Sequence, residues 1–291
     1  MAEQLERVVG PGAVLGEGPV WDERAAVLWW LDIPGEALHR FDPASGDDEA
    51  TALGAQVGAL VPRRSGGLVL ATPEGFEAFD PASGARSLLA RADAENRATR
   101  MNDGKCDRAG RFYAGTMAYD FASGAGAFYR LDPDLGVTQL LGEVTISNGL
   151  AWSDDGATLY YIDSMTHRVD AFDVDVDTGE LDGRRPVVEL DSALGVPDGM
   201  CIDEAGYLWV ALFGGGAVHR YSPGGTLDRV VEVPASQVTC CAFGGPSYDE
   251  LYITTAAQDL TDADRQRYPD AGSMYRLRPG VAGPPPNPFA G

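Results

Sequence analysis

VLWWLDI (27–33), a short run of alternating apolar, aromatic and β-branched residues, is the first of six such runs in the chain. The others are GLVLAT (67–72), RFYAGTM (111–117), LYYIDS (159–164), YLWVAL (207–212) and LYITTA (251–256). Alternation of these residue types over so few positions predicts strands rather than helices. Acidic or glycine-containing turns, such as WDERAA, CDRAG, WSDDGA and IDEAG, precede most of them and suit hairpins between antiparallel neighbours. A second marker follows each run: HRFDPASG (39–46), EAFDPASG (77–84), YRLDPDLG (129–136), DAFDVDVDTG (170–179), HRYSPGG (219–225) and YRLRPG (275–280). Both series occur six times, in phase, with roughly forty to fifty-five residues per unit. A unit of that length is one four-stranded blade. The expectation is therefore all-β: a single six-bladed β-propeller with four-stranded blades, one domain over residues 1–291. Stacked sandwich domains are disfavoured because no linker or break in composition separates the units.

The ring must also close. The tail VAGPPPNPFAG (281–291) is too proline-rich for another central strand. QLERVV (4–9) has strand character and is expected to supply the outermost strand of the last blade. Its loss should destabilise the whole ring.

Composition narrows the partners. The formal charge is −22, with 44 acidic against 22 basic residues, and Lys105 is the only lysine. Such a surface repels phosphate backbones and anionic lipid, which argues against nucleic-acid and membrane partners. The excess of acid reads more simply as genome composition or salt adaptation than as function. The first twenty residues carry acids and no apolar run, so no signal peptide is expected, and no stretch approaches membrane-spanning length. Cys106, Cys201, Cys240 and Cys241 lack zinc-type spacing and read as free, buried thiols. A cytoplasmic monomer is the expectation.

Counting back five residues from the turn that ends each innermost strand gives Glu17 (before Asp22), Asn102 (before Asp107), Asn148 (before Ser153) and Asp198 (before Asp203). The same offset lands on Gly58 and Thr239 in the second and sixth units. In a propeller these positions ring the axis. Two carboxylates and two carboxamides converging there are costly for a core but suit a hard divalent cation. Any one Asn-Gly or Asp-Gly alone is an ordinary turn, and only the registered set points to a site. The glycines that follow three of them (Gly18, Gly149, Gly199) suggest close backbone approach at the ligand.

Those same residues carry a resemblance. GEGPVWD (16–22), RMNDGKCD (100–107), GRFYAGTM (110–117), ISNGLAWS (146–153), YYIDS (160–164) and PDGMCIDEAGYLWVA (197–211) resemble the SMP-30/gluconolactonase/regucalcin family. The likeness runs from about residue 13 to the C-terminal FAG, and it implies a six-bladed propeller. It implies Glu17, Asn148 and Asp198 as metal ligands, Arg100 and Asn102 as residues that hold a sugar lactone, and Asp198 as catalytic acid/base. Asp120 falls where regucalcin-like members have a Glu that touches substrate, and the loop after it, FASGAGAF, is shorter than in animal members. The pocket rim should therefore differ.

The expected chemistry is hydrolysis of a sugar lactone by a site holding one divalent cation (Ca²⁺, Zn²⁺, Mn²⁺, Mg²⁺ or Fe²⁺). The cation would polarise the lactone and stabilise the oxyanion. Asp198 would accept the water proton and return it to the ring oxygen, with hydroxide formed on the cation as the alternative nucleophile. Two other readings compete: hydrolysis of phosphotriesters or other esters, and a non-catalytic calcium-binding regulator or scaffold. DVDVDTGEL (173–181) begins like a calcium loop but has Thr178 and Arg184 where an EF-hand needs Gly and Glu, so it reads as an acidic hairpin turn. No GxSxG elbow or HExxH helix is present.

Overall fold

The protein is described by a computed structural model covering residues 5–291. After β1 (Glu6–Val9) come four separate antiparallel sheets of four strands each. The first holds β2 (Gly16–Asp22), β3 (Val27–Asp32), β4 (Ala37–Asp42) and β5 (Asp47–Ala52). The second holds β6 (Ala59–Pro62), β7 (Leu68–Thr72), β8 (Gly75–Asp80) and β9 (Ala85–Ala90). The third holds β10 (Thr99–Cys106), β11 (Phe112–Ala118), β12 (Gly126–Leu131) and β13 (Val137–Val144). The fourth holds β14 (Ser147–Trp152), β15 (Thr158–Asp163), β16 (Arg168–Val174) and β17 (Leu181–Glu189).

The remaining strands are β18 (Val196–Ile202), β19 (Leu208–Phe213), β20 (Ala217–Tyr221), β21 (Leu227–Glu232), β22 (Gln237–Gly244), β23 (Glu250–Ala256) and β24 (Met274–Leu277). Together with β1 they form one eight-stranded sheet. The one α-helix among the described residues, α1 (Asp262–Arg267), lies between β23 and β24 and starts with a capping box at Thr261. No helix of the described residues is long and apolar enough to cross a membrane.

The fold is all-β and propeller-like, with one correction to the sequence reading. Four sheets are separate, not six. The last seven strands, with β1, are continuous because Phe213, at the end of β19, pairs with Gln237 at the start of β22. On either side of that single pair the pattern is the one expected: β18–β21 run as one meander, and β22–β24 as another that ends on β1. The N-terminal strand closes it as expected, Glu6 opposite Arg276 and Arg7 opposite Tyr275, with a Glu6–Arg276 ion pair of 2.7 Å. Gln4 of the predicted segment lies outside the described residues.

Burial falls from the second strand of each group to the fourth. β3, β7 and β11 are buried along their whole length, whereas β5, β9 and β17 are largely exposed. Charged outer strands keep sheet edges from pairing with other chains. The core is not one mass but six apolar clusters, each contributed mainly by two successive groups of strands. Trp209, Tyr113, Tyr161 and Tyr252 fill the gaps and are nearly wholly buried. Each such side chain contributes about 1.5–3 kcal/mol by leaving water.

The acids that end the inner strands act as struts. Asp22 accepts from Trp29 Nε1 at 3.2 Å, and Asp203 accepts from Trp209 Nε1 at 3.1 Å and from Arg220. Asp175, in the calcium-loop lookalike, accepts the amides of Asp177 and Thr178 at 3.0 Å each, which makes that segment the self-capped β16–β17 turn the sequence suggested. The proline-rich tail is no strand, but Phe289 is fully buried beside Val61 and Phe112. Its N–H donates to Pro62 O at 2.8 Å and its carbonyl accepts from Arg64 N at 2.7 Å.

Candidate active site at the axis

The residues counted from the turns fall on, or immediately before, the inner strands. Glu17 is second in β2, Asn102 fourth in β10, Asn148 second in β14, Asp198 third in β18 and Thr239 third in β22, while Gly58 precedes β6. A local device aims them. The pairing register slips between Glu17 and Val20, Met101 and Gly104, Asn148 and Leu150, Pro197 and Met200, and Val238 and Cys240. A β-bulge re-aims a side chain and bends its strand, and here one sits at each inner strand whose axial residue is polar. The second sheet, with Gly58, has a regular register.

The glycines have a different reason from the one the sequence suggested. A Cβ on Gly149 would stand 2.7 Å from Asp198 O, and one on Gly199 would stand 2.3 Å from Cys240 Sγ. They permit close packing of neighbouring inner strands rather than approach to a ligand. Gly18 instead takes a left-handed φ of +54°.

Glu17, Asn102, Asn148 and Asp198 are all buried, at 4–7% exposure. Burial first, then the charges of Asp198 and Asp103, push the Glu17 carboxyl well above its ordinary range. Burial and Asp103 do the same to Asp198, against the support of the Asn148 amide and Gly199 N–H. Asn148 Nδ2 donates to Ser164 Oγ at 3.0 Å, while its Oδ1 is buried without a hydrogen-bond partner. Two buried carboxylates short of positive charge, beside an orphaned carbonyl oxygen, are a donor set that fits a hard dication. Among the described residues no three His, Cys, Asp or Glu side chains gather as a metal-ligating group. The third oxygen here belongs to a carboxamide.

Arg100 lies beside this group. Its Nη1 donates to Asn102 Oδ1 at 2.8 Å and to Met101 O at 3.0 Å, and Asn102 Nδ2 donates to Ser147 O at 2.8 Å, which ties β10 to β14. Burial lowers the Arg100 pKa, opposed by Glu17, Tyr119 and Asp198. Thr239 is spent elsewhere, donating to Gly16 O at 2.5 Å. Asp120 is exposed on the turn after β11, and its carboxylate accepts from Ala122 N at 3.1 Å. The structure records no contact between Asp120 and the axial residues; its neighbour Tyr119 is the one that reaches Arg100's field.

Four functional neighbours escaped the sequence reading. Asp103 is buried beside Asn102, and its Oδ1 accepts from Gly104 N at 2.6 Å. Lys105, on β10, reaches β14 and β18 and donates to Leu150 O at 3.0 Å and Met200 O at 2.8 Å. Asp32 accepts the amides of Val14 and Leu15, and Asp163 those of Thr145 and Ile146, all at 3.0 Å, which fixes the loops leading to Glu17 and Asn148. The signal for this last pair was present as the shared acid of WWLD and YYID.

The SMP-30/Gluconolactonase/LRE-like region matches residues 15–257. The chain belongs to that family. Regucalcin of Xenopus laevis is 40% identical over 295 residues, covering 99% of each protein. The structure of a calcium-binding protein, regucalcin, from Agrobacterium tumefaciens superposes with a TM-score of 0.94 at 30% identity, covering 99% of this chain and 97% of that one. A luciferin-regenerating enzyme gives 0.93 at 31% identity, covering 99% and 100%.

Proposed function

We propose that this chain hydrolyses a sugar lactone to its open-chain acid, using one divalent cation held by Glu17, Asn148 and Asp198. The observation that carries the reading is the orphaned Asn148 Oδ1 beside two buried carboxylates whose protons are held unusually tightly. Membership of the gluconolactonase family and likeness to a calcium-binding regucalcin support it. A bound dication supplies Lewis acidity toward an ester carbonyl and charge compensation for the two acids. The chain's residues do the rest. Arg100 and Asn102, already hydrogen-bonded to each other, present donors and an acceptor to the hydroxyls of a polyol and orient the ring. Asp198 accepts a proton from the attacking water and returns it to the leaving ring oxygen. Asp120, exposed on the turn after β11, is the further candidate to touch substrate. We read the eight-stranded sheet as two blades merged by one residue pair, six in all, the whole chain being one domain.

A second reading has its own support. Tyr119, Phe121 and Met165, on turns at the axial-residue end of the strands, are 47%, 57% and 51% exposed. An apolar rim suits an ester with an apolar body better than a bare polyol. The test is acid release from a panel of sugar lactones and of aryl or alkyl esters, using chelated protein with each divalent ion restored in turn. Turnover of a sugar lactone that needs metal and vanishes in Glu17→Gln supports the first reading. Turnover of the apolar esters alone replaces it with the second, and turnover of neither leaves a non-catalytic metal-binding protein.

A further inference from the structure

The four cysteines play no part in the proposed chemistry, yet two of them are placed for chemistry of their own. Cys201 on β18 and Cys241 on β22 have their Sγ atoms 3.6 Å apart although forty residues separate them in sequence. Both are buried and share one apolar cluster with Trp209 and Phe243. A disulfide needs its sulfurs about 2.05 Å apart. The pair is therefore within roughly 1.5 Å of bonding distance, a gap that small side-chain rotations close. The two strands belong to the two halves of the eight-stranded sheet, which among the described residues are laddered together by the single pair Phe213–Gln237.

Access is also provided. Cys201 lines a cavity of about 180 Å³ between the inner strands and the proline-rich segment 284–287. That is room for several water-sized molecules. Cys241 is fully shielded, with its Sγ 3.4 Å from Trp209 O. The other two thiols, Cys106 and Cys240, line the same cavity, but among the described residues neither has a second sulfur against it. Cys240 has its Sγ against Gly199, and Cys106 lies in a different cluster.

We propose that Cys201 and Cys241 are a peroxide-responsive pair that forms a disulfide joining β18 to β22. Cys201 is the first of the pair to react, because it lines the cavity and Cys241 does not. Its thiolate attacks one peroxide oxygen, the O–O bond breaks, and a sulfenic acid and one water result. The Cys241 sulfur then attacks the sulfenic sulfur, the S–O bond breaks, the S–S bond forms and a second water leaves. Two thiols give up two protons and two electrons, and one hydrogen peroxide accepts them as two waters. The crosslink closes a loop of about forty residues, which constrains the unfolded chain enough to raise the thermal midpoint by about 5 °C.

The test is peptide mapping, under denaturing and non-reducing conditions, of folded full-length protein treated with hydrogen peroxide and then alkylated. The expected product is a Cys201–Cys241 linked peptide, reversed by dithiothreitol, with Cys106 and Cys240 alkylated. The same treatment should raise the thermal midpoint of the wild type and leave that of Cys241→Ser unchanged. In Cys241→Ser, Cys201 should be trapped as a sulfenic acid by dimedone. Either of two results would overturn the proposal. One is peroxide-treated wild type in which Cys201 and Cys241 remain alkylatable. The other is a mixture of linkages no more selective than that of urea-unfolded protein.

Discussion

Replacing Lys105 by Met should cost about 3 kcal/mol of folding stability, because the ammonium is a cationic hinge across the inner strands. Met keeps the length and apolar stem but deletes the donors to Leu150 O (3.0 Å) and Met200 O (2.8 Å), so β10 keeps only the Asn102–Ser147 tie to β14 and loses the Lys105 ties to β14 and β18. Hydrogen bonds from a charged donor contribute roughly 1.5–3 kcal/mol each. Lys105 is only partly buried, so water can reclaim some of that loss and the lower figure is used for each bond. Asp103 adds to the cost. Burial already pushes its carboxyl up, and Lys105 and the Gly104 amide are what oppose that. Urea unfolding of the metal-free protein measures the effect, with the wild type, Lys105→Met, Asp103→Asn and the double variant forming a cycle. The double variant should be more stable than the sum of the single losses implies, by about 1 kcal/mol or more. A loss below about 0.5 kcal/mol in Lys105→Met, within the range of ordinary surface changes, would refute the hinge and leave Lys105 as a solvated bystander.

Other consequences are as direct. Phe289→Ala should destabilise by about 3–5 kcal/mol, read as a lower urea midpoint, since the ring is fully buried beneath the second and third sheets. Glu250 predicts an acid-side slope: burial raises its pKa, but the Tyr252 hydroxyl with Arg278 and Arg276 more than offsets that and holds it below the ordinary range. Its stabilising contribution is thus present above the unfolded-state value and lost as pH falls through the lower folded value, so Glu250→Gln should flatten the fall in stability below about pH 4.3. On the proposed reaction, Asn102→Ala should raise KM for a lactone roughly tenfold or more, because it removes a hydroxyl contact and frees Arg100 from its 2.8 Å tie. Deleting residues 1–9 should lower stability by several kcal/mol, since it exposes β24 as an open edge.

Much of this was legible because the repeat was written in side chains. Six apolar runs, five of them with aromatics, mark six buried second strands, and the five-residue offset from the terminal turn falls on, or just before, the inner strand of each unit, Gly58 and Thr239 included. The reach of long side chains between units was not legible. Nothing in NDGKCD says that Lys105 spans from β10 to β14 and β18, or that Asp103 joins Asn102 at the axis, because a strand's alternation is broken there by a bulge between Met101 and Gly104. Asp120 shows the converse. Its expected contact with substrate came from the family resemblance, whereas a turn residue's direction depends on a few backbone angles that no pattern states, and here its carboxylate accepts from Ala122 N on its own turn. The merging of two strand groups rests on one residue pair, Phe213–Gln237, which no periodicity encodes.

The central claim is that one divalent cation at Glu17, Asn148 and Asp198 makes this chain a lactonase. A single titration tests it: chelated protein receives a divalent ion stepwise, while bound ion is measured by calorimetry and lactone turnover by acid release on the same sample. The account predicts that turnover rises in proportion to bound ion, saturates at one per chain, and is lost together with binding in Asn148→Leu. Turnover at full rate before any ion is bound, or one ion bound per chain with no lactone hydrolysed, would contradict it.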